Sequence, residues 1–284
     1  MLGHFEAEHN PDVVKALFDA AITWLREHGT GSILGPLDGD TWHRYRFNVG
    51  PWDEPPFLME PFQPPYYGPL WEAYGFRPLE HYYSKRVDDV PAAESRLKAV
   101  RHRVEQQGYR LRAYRRNSYE SELRLLYDLS LAVFAGNYLY EPIEWDEFRA
   151  LYDPLRSLIV PELLQFAFAP DGTPAGFLFA TIDWQIAAAA ASRRHGLAAK
   201  LAFLWHRRRA SAVNLKSLGV VAPYRRSGLG AALMHEGYRQ TLKLGYRRAN
   251  LCLIREGNPS GHLDGNVGIV SRRYVLYQLP EAAQ

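Results

Sequence analysis

The 284-residue sequence contains a single cysteine, Cys252. One thiol excludes an internal disulfide framework and argues for a reducing compartment. It sits in Asn250-Leu251-Cys252-Leu253-Ile254, an apolar strand pattern in which a buried structural thiol is expected rather than a nucleophile. No run of about 18 apolar residues occurs, so no membrane-spanning helix is expected. The N-terminal Met1-Leu2-Gly3-His4-Phe5-Glu6 lacks the basic and apolar regions of a secretory leader. These absences make the cytoplasm the expected location. Excess charge is also scarce: 34 Lys and Arg against 31 Asp and Glu leave a net charge of +3, which does not point to a nucleic-acid partner. No H-E-x-x-H or C-x-x-C spacing is present, so no metal is expected. The serine elbow G-x-S-x-G, the dinucleotide pattern G-x-G-x-x-G and the triphosphate loop G-x-x-x-x-G-K-[ST] are all missing too.

What is present is an apolar content of 47%, enough to build a core and to exclude global disorder. The length suits one large or two modest domains. The most informative stretch is Leu215 to Leu233. It reads as an apolar strand, a turn and the start of a helix. Pro223 closes the strand, because it cannot donate to a sheet ladder. The turn is Arg225-x-x-Gly228-x-Gly230. The helix carries Leu229, Leu233 and Tyr238 on one side and Arg239 and Lys243 on the other, and ends near Gly245. Glycines let a backbone approach a ligand closely. A helix N-terminus offers free N–H groups and partial positive charge. Together they form a seat for phosphate or pyrophosphate, with Arg225 and Arg226 at its rim. A tight strand-to-helix turn with no ligand is the alternative.

With Val220-x-x-Pro223 in front of it, this turn resembles the pyrophosphate-binding motif of the GNAT superfamily of acyl-CoA-dependent N-acyltransferases. That motif is Gln/Arg-x-x-Gly-x-Gly/Ala after the fourth strand, and Arg225, Gly228 and Gly230 fill its three places. The resemblance implies acetyl-CoA or another acyl-CoA as co-substrate, and a small-molecule or peptide amine as acceptor. It implies that Arg225, Arg226, Ser227, Gly228, Leu229, Gly230 and Ala231 surround the pyrophosphate. It implies that the Leu218 N–H polarises the thioester carbonyl where the fourth and fifth strands part, and that Val220 pairs with the pantetheine arm. Asn258, after the fifth strand, is implied to touch that arm. Two positions depart from the pattern. Eleven residues before Arg225, where some members place a base, stands Asn214, which can orient a water but not take up a proton usefully. Seven residues after Asn258, where a tyrosine commonly protonates the leaving thiolate, stands Gly265. His235, Glu236 and His206 are loose candidates for acid or base work, each more often a surface residue. A non-catalytic acyl-CoA-binding or interaction protein on the same fold is therefore the second reading.

The rest of the chain is organised around that stretch. The expected fold class is α/β, a mixed sheet with a GNAT-like fold over residues 108–284. Its order is a strand at Tyr109 to Arg115, helices from Ser118 and from Glu144, a hairpin at Leu163–Ala169 and Ala175–Ile182, the fourth strand, the acyl-CoA helix, and a fifth strand at Arg248–Arg255. The resemblance covers about residues 108–279, closing with a strand or hairpin at Val267–Gln278. Residues 1–90 form a smaller lobe. It opens with a short strand over Met1–Glu8 and a helix capped by Asn10 with Pro11 at its first position. The apolar side of that helix is read as Val13, Val14, Leu17, Ala20, Ala21, Trp24 and Leu25. A strand at Thr30–Pro36, a helix ending at Gly75 and a strand at His81–Val87 follow. This order resembles an incomplete, degenerate GNAT half without the phosphate turn; an unrelated α/β lobe is the alternative. The C-terminal domain or a second copy of the chain, as in a homodimer, is expected to cover the lobe's apolar face. Trp42, Tyr45, Trp52, Tyr66, Tyr67 and Trp71 either line a pocket or pack the lobe. Residues 91–107 read as a solvated linker helix with a basic face of Arg96, Lys98, Arg101 and Arg103. An insertion from Trp184 to Ala210, basic through Arg193, Arg194, Lys200 and Arg207 to Arg209, is a lid, a membrane-surface helix or a solvated insertion.

Overall fold

The computed structural model describes residues 1–281. In chain order the elements are α1 (Pro11–Glu27), β1 (Ile33–Gly35), β2 (Phe47–Gly50), α2 (Tyr67–Tyr74), β3 (Arg77–Val87), α3 (Val90–Gln106), β4 (Arg110–Ala113), α4 (Tyr119–Phe134) and α5 (Trp145–Tyr152). Then come β5 (Leu164–Phe168), β6 (Pro174–Ile182), α6 (Gln185–Ser192), α7 (Gly196–His206), β7 (Ala212–Val220), α8 (Leu229–Lys243), β8 (Arg248–Arg255) and β9 (Ile269–Leu279). The protein is mixed α/β, with mostly antiparallel strands. No helix among the described residues is long and apolar enough to cross a membrane.

The chain divides into two compact units. The first holds Met1–Pro56, Glu60–Tyr83 and Ser271 onward. Its sheet is completed from the far end of the chain: β9 pairs antiparallel with β1 through Ile33↔Leu279 and with β2 through Phe47↔Val275. The lobe is thus not confined to residues 1–90, because β9 supplies Val275 and Tyr277 to its core. α1 starts where Asn10 Oδ1 accepts the N–H groups of Asp12 at 3.0 Å and Val13 at 3.4 Å. Its buried side is Val14, Phe18 and Ile22, at steps of four, while Val13, Leu17 and Trp24 are exposed. This corrects the face read from the sequence. Phe18 decides the orientation by stacking on Phe5 at 5.3 Å and meeting Trp71 edge-on at 5.2 Å. Tyr67 and Trp71 belong to the same core. Met1–Glu8 is not a strand; only Leu2 pairs along β1, donating to Leu34 and accepting from Leu37.

The second unit holds Phe57–Met59 and Ser84–Val270. β8, β7, β6, β5 and β4 lie side by side in that order, the end of β3 flanking β8. Neighbours are antiparallel from β4 to β7, and β7 runs parallel to β8. Alternate residues of a strand face opposite sides. A Cβ added at Gly219 would lie 2.2 Å from Val133 of α4, whereas one at Gly237 of α8 would meet Leu178 at 2.5 Å and Leu215 at 3.3 Å. Hence α4 and α8 cover opposite faces. α4 is fixed to β4 by Glu122, which is buried and accepts from Arg112 at 2.6 and 2.9 Å and from Arg115. Burial opposes that carboxylate's charge, but the arginine bonds outweigh it and hold its pKa below the usual glutamate value.

α3 is a part of this unit and not a linker. Val90, Ala93, Leu97 and Val104 are buried, and the helix packs along α8. Two of its basic side chains are used locally: Arg96 donates to the Gly265 carbonyl, and Arg101 pairs with Glu105 at 2.7 Å.

Because the first unit's core needs Val275 and Tyr277, residues 1–90 expressed alone should aggregate or melt without cooperativity. A soluble, monomeric fragment with a single sharp transition would show that β9 is dispensable.

Candidate active site where two parallel strands part

The site begins with a ladder that stops. β7 and β8 pair over only four residues, Ala212↔Arg248 to Leu215↔Leu251. Both strands continue, β7 to Val220 and β8 to Arg255, without further pairing to each other. On its other edge β7 stays bonded to β6, with a register shift between Phe179↔Ser217 and Ala180↔Leu215. Lys216 is the extra residue, so β7 carries a β-bulge where it leaves β8. The bulge residue is anchored: Lys216 Nζ donates to the Leu58 carbonyl at 3.1 Å and lies 4.9 Å over the Phe57 ring. Asp183 accepts the Leu58 N–H at 2.8 Å.

Strand alternation then sets which backbone groups face the gap. Val221 donates to the Ala175 carbonyl at 2.9 Å, so its N–H points to β6. Gly219 and Ser217 share that direction by the period of two, and Val220 and Leu218 are turned the other way. The two residues singled out from the sequence therefore present their N–H groups to the gap. Unpaired backbone donors of this kind need a partner.

Below the gap stands the start of α8. Gly228 has φ +85°, the left-handed region that glycine adopts at no steric cost. A Cβ there would also come within 3.2 Å of Val100 on α3. The Ser227 hydroxyl accepts the Leu229 N–H at 3.2 Å, and Ala232 closes the first backbone turn onto Gly228 at 3.1 Å. Helix geometry leaves the N–H groups of Gly230 and Ala231 without intrahelical acceptors. A Cβ at Gly230 would touch Leu218, Val220 and Leu263 at ordinary van der Waals distance, 3.7–3.8 Å. The helix start and the gap thus belong to one site.

The side chains are arranged less simply than the motif suggests. Arg225 does not extend from the rim. Its Nε donates to the Val220 carbonyl and its Nη2 to the Val133 carbonyl, both at 3.2 Å. It ties the end of β7 and the end of α4 to the turn. Arg226 is exposed. Asn258 uses its Oδ1 to accept the Ser260 N–H at 2.9 Å, capping a short turn.

Asn214 is fully buried on the four-residue paired stretch. Its Oδ1 accepts from Asn250 Nδ2 at 2.8 Å. Its own Nδ2 has no hydrogen-bond partner among the described residues, nor has the hydroxyl of Thr181, its cross-strand neighbour on β6. Two buried, unpartnered polar groups side by side are uncommon and mark a place where a ligand or water completes the bonding. Sequence reading missed Thr181; only register places it beside Asn214.

Gly265 has φ +66°, and a Cβ there would lie 3.3 Å from the Arg96 side chain. A side chain in that position would be strained by the positive φ and crowded by Arg96. The segment is pinned instead by Asp264, wholly buried, which pairs with Lys85 at 2.8 Å and accepts the N–H groups of Asn266 and Gly268. His235 and Glu236 are buried on α8. His235 Nε2 lies 2.8 Å from Glu94 of α3, and Glu236 accepts from Arg239 and Gln240. Burial holds the His235 pKa below its ordinary value, against the pull of Glu94. His235 serves the α3–α8 contact, and Glu236 bonds within α8.

No family model matches the sequence. The chain is 26% identical to a protein named bacterial ceramide synthase from Caulobacter vibrioides, over 99% of this chain and 75% of that protein. It is 27% identical to the Escherichia coli protein YghO, over 62% of this chain and 46% of that one. Among solved structures it resembles the GCN5-related glucosamine N-acetyltransferase region of a fungal multi-domain GH3 β-N-acetylglucosaminidase. There the TM-score is 0.53 at 15% identity, over 93% of this chain and 27% of that one. The parted parallel strands, the bulge and the glycine turn at a helix start are thus set in the GNAT fold, that of the GCN5-related N-acetyltransferases.

Proposed function

We propose that the protein is an N-acyltransferase that moves a fatty acyl group from acyl-CoA to the amine of a long-chain amino alcohol. One observation carries the reading: β7 leaves β8 after Leu215, turning the N–H groups of Leu218 and Val220 into a gap above the start of α8. A thioester donor needs such a gap. Its pyrophosphate would rest on the N–H groups of Gly230 and Ala231 and on the positive end of α8. Its pantetheine amide would pair with Val220 as an added strand. The thioester carbonyl would then meet the Leu218 N–H, a fixed donor that stabilises the oxyanion formed on attack.

The bonds balance simply. The amine nitrogen attacks the carbonyl carbon, and the tetrahedral species breaks its C–S bond. The nitrogen loses one proton and the thiolate gains one, giving an amide and free CoA. The Asn214 amide and the Thr181 hydroxyl are suited to hold the incoming amine or a water that carries the proton; neither is an acid or base at neutral pH. The relative named a ceramide synthase supports the substrate class, because a ceramide is the N-acyl derivative of a long-chain amino alcohol. It also favours a fatty acyl donor over acetyl-CoA.

A second reading, an acyl-CoA-binding protein without turnover, is favoured by one feature: a backbone turn stands at Gly265, where the resemblance expects a proton donor.

Release of CoA thiol separates the two. With a long-chain acyl-CoA and a sphingoid-type amino alcohol, turnover is expected. Leu218→Pro, which removes the gap-facing N–H but no bond to β6, should lower kcat about a hundredfold or more while CoA still binds. Binding without turnover across short and long amines would establish the second reading; turnover with acetyl-CoA and short amines alone would remove the lipid assignment. Arg225→Ala should weaken CoA and a pantetheine thioester fragment to the same degree, because the side chain shapes β7 rather than holding phosphate. A loss confined to CoA, read by calorimetry, would place Arg225 on the phosphate after all.

A further inference from the structure

Nothing in acyl transfer uses α6, α7 or the turn that follows them. From Gln185 to Arg209 the sequence has no Asp or Glu, while Arg193, Arg194, Lys200, Arg207, Arg208 and Arg209 all carry positive charge. The two helices pack on each other. Phe203 of α7 meets Trp184 edge-on at 5.8 Å, and Ala187 of α6 is buried. That inner side accounts for only part of α7, which has no fully buried residue.

The outer side is apolar and in water. Leu197, Leu201, Leu204 and Trp205, spaced so as to share one face, are 71%, 58%, 46% and 67% exposed. Ile186 of α6 is exposed as well. Isolated exposed hydrophobes need no explanation, but a continuous stripe rimmed by charge marks an interaction site. A shallow depression of about 540 Å³ lies over Leu201, Leu204 and Trp205, with Arg194 and Arg208 at its edges. Arg208 sits 5.5 Å over the Trp205 ring, placing a cation and an amphipathic aromatic together.

We infer that this helical hairpin docks the protein on an anionic membrane surface. The apolar stripe enters the boundary between headgroups and acyl chains, and the arginines meet lipid phosphates. Charge complementarity selects the occupant. A nucleic acid would use the arginines and leave the stripe in water, whereas an anionic bilayer uses both. Trp beside Leu, with long basic side chains reaching outward, is the pattern of a helix lying in the interface. α7 has eleven residues, so it is about 16 Å long, roughly half the hydrocarbon thickness; it lies on the membrane rather than crossing it. The inference rests on this face alone and holds whichever reaction the site performs.

Co-sedimentation of the full chain with vesicles tests it. Binding is expected to vesicles of phosphatidylcholine mixed with phosphatidylglycerol, to be much weaker with phosphatidylcholine alone, and to fall with added salt. Each basic side chain near such a surface contributes about a fivefold change in partitioning. Replacing Arg207, Arg208 and Arg209 together by Gln should therefore weaken binding more than tenfold. Leu201→Glu with Leu204→Glu should abolish it. Both variants change exposed positions and should melt like the parent; if the double leucine variant does not, Leu197→Gln reads the stripe alone. The inference is overturned if the parent stays in solution with both vesicle types at low salt, or if binding ignores both sets of substitutions. It is also overturned if Leu201→Glu instead disperses a concentration-dependent dimer, since a second copy would then own the stripe.

Discussion

The constraint on which the site depends is that β7 cannot pair on both edges beyond Leu215. Sheet interiors normally satisfy every backbone N–H and C=O, so a strand that loses one neighbour leaves donors facing space. Here the loss is local and anchored. The bulge at Lys216 turns β7 away from β8, and the same lysine is bonded to the Leu58 carbonyl. The ladder to β6 continues through the bulge, so β7 stays in place while its other edge opens. What is left is a slot of backbone N–H groups on a strand still held by its other neighbour.

Much of the surrounding unit keeps that slot in shape. α4 packs so closely on β7 that Gly219 has no space for a side chain. Arg225 spends its guanidinium on the carbonyls of Val220 and Val133, bracing the strand end against α4. α3 lies along α8 and approaches both Gly228 and Gly265. The same packing that supports the turn at the helix start thus crowds the position where the resemblance places a tyrosine. The groups left facing the site are the Leu218 N–H and the unpartnered amide nitrogen and hydroxyl of Asn214 and Thr181.

Sequence made the central stretch legible because its signals are local. The glycine turn, the capping Asn10 and the bounds of β8 are each written in a few neighbouring residues, and the structure has all three. Leu218 and Val220 were named only through the family resemblance, by counting back from Arg225, and strand alternation turns their N–H groups to the gap. What escaped was non-local. The pairing of β9 with β1 spans almost the whole chain, so the first lobe was bounded at residue 90 and its missing strand was not identified. α3 looked solvated because its four buried positions are outnumbered by charged ones. The bulge leaves no mark in Leu215-Lys216-Ser217, and the partnership of Thr181 with Asn214 exists only through register. In α1 the apolar residues outnumber the places available on one face, and ring packing on Phe18 decided which were buried.

The proposed thioester donor rests on the slot and the helix start beneath it, and the proposed membrane docking on the basic hairpin. The claim on which the rest turns is that CoA lies in the slot. Hydrogen exchange with and without CoA tests it most directly, because the proposed contacts are backbone N–H groups. Slowed exchange is expected at Leu218, Val220, Gly230 and Ala231, with the paired stretch Ala212–Leu215 unchanged. Saturating CoA that leaves those four amides untouched, or that protects a different part of the chain, would contradict it.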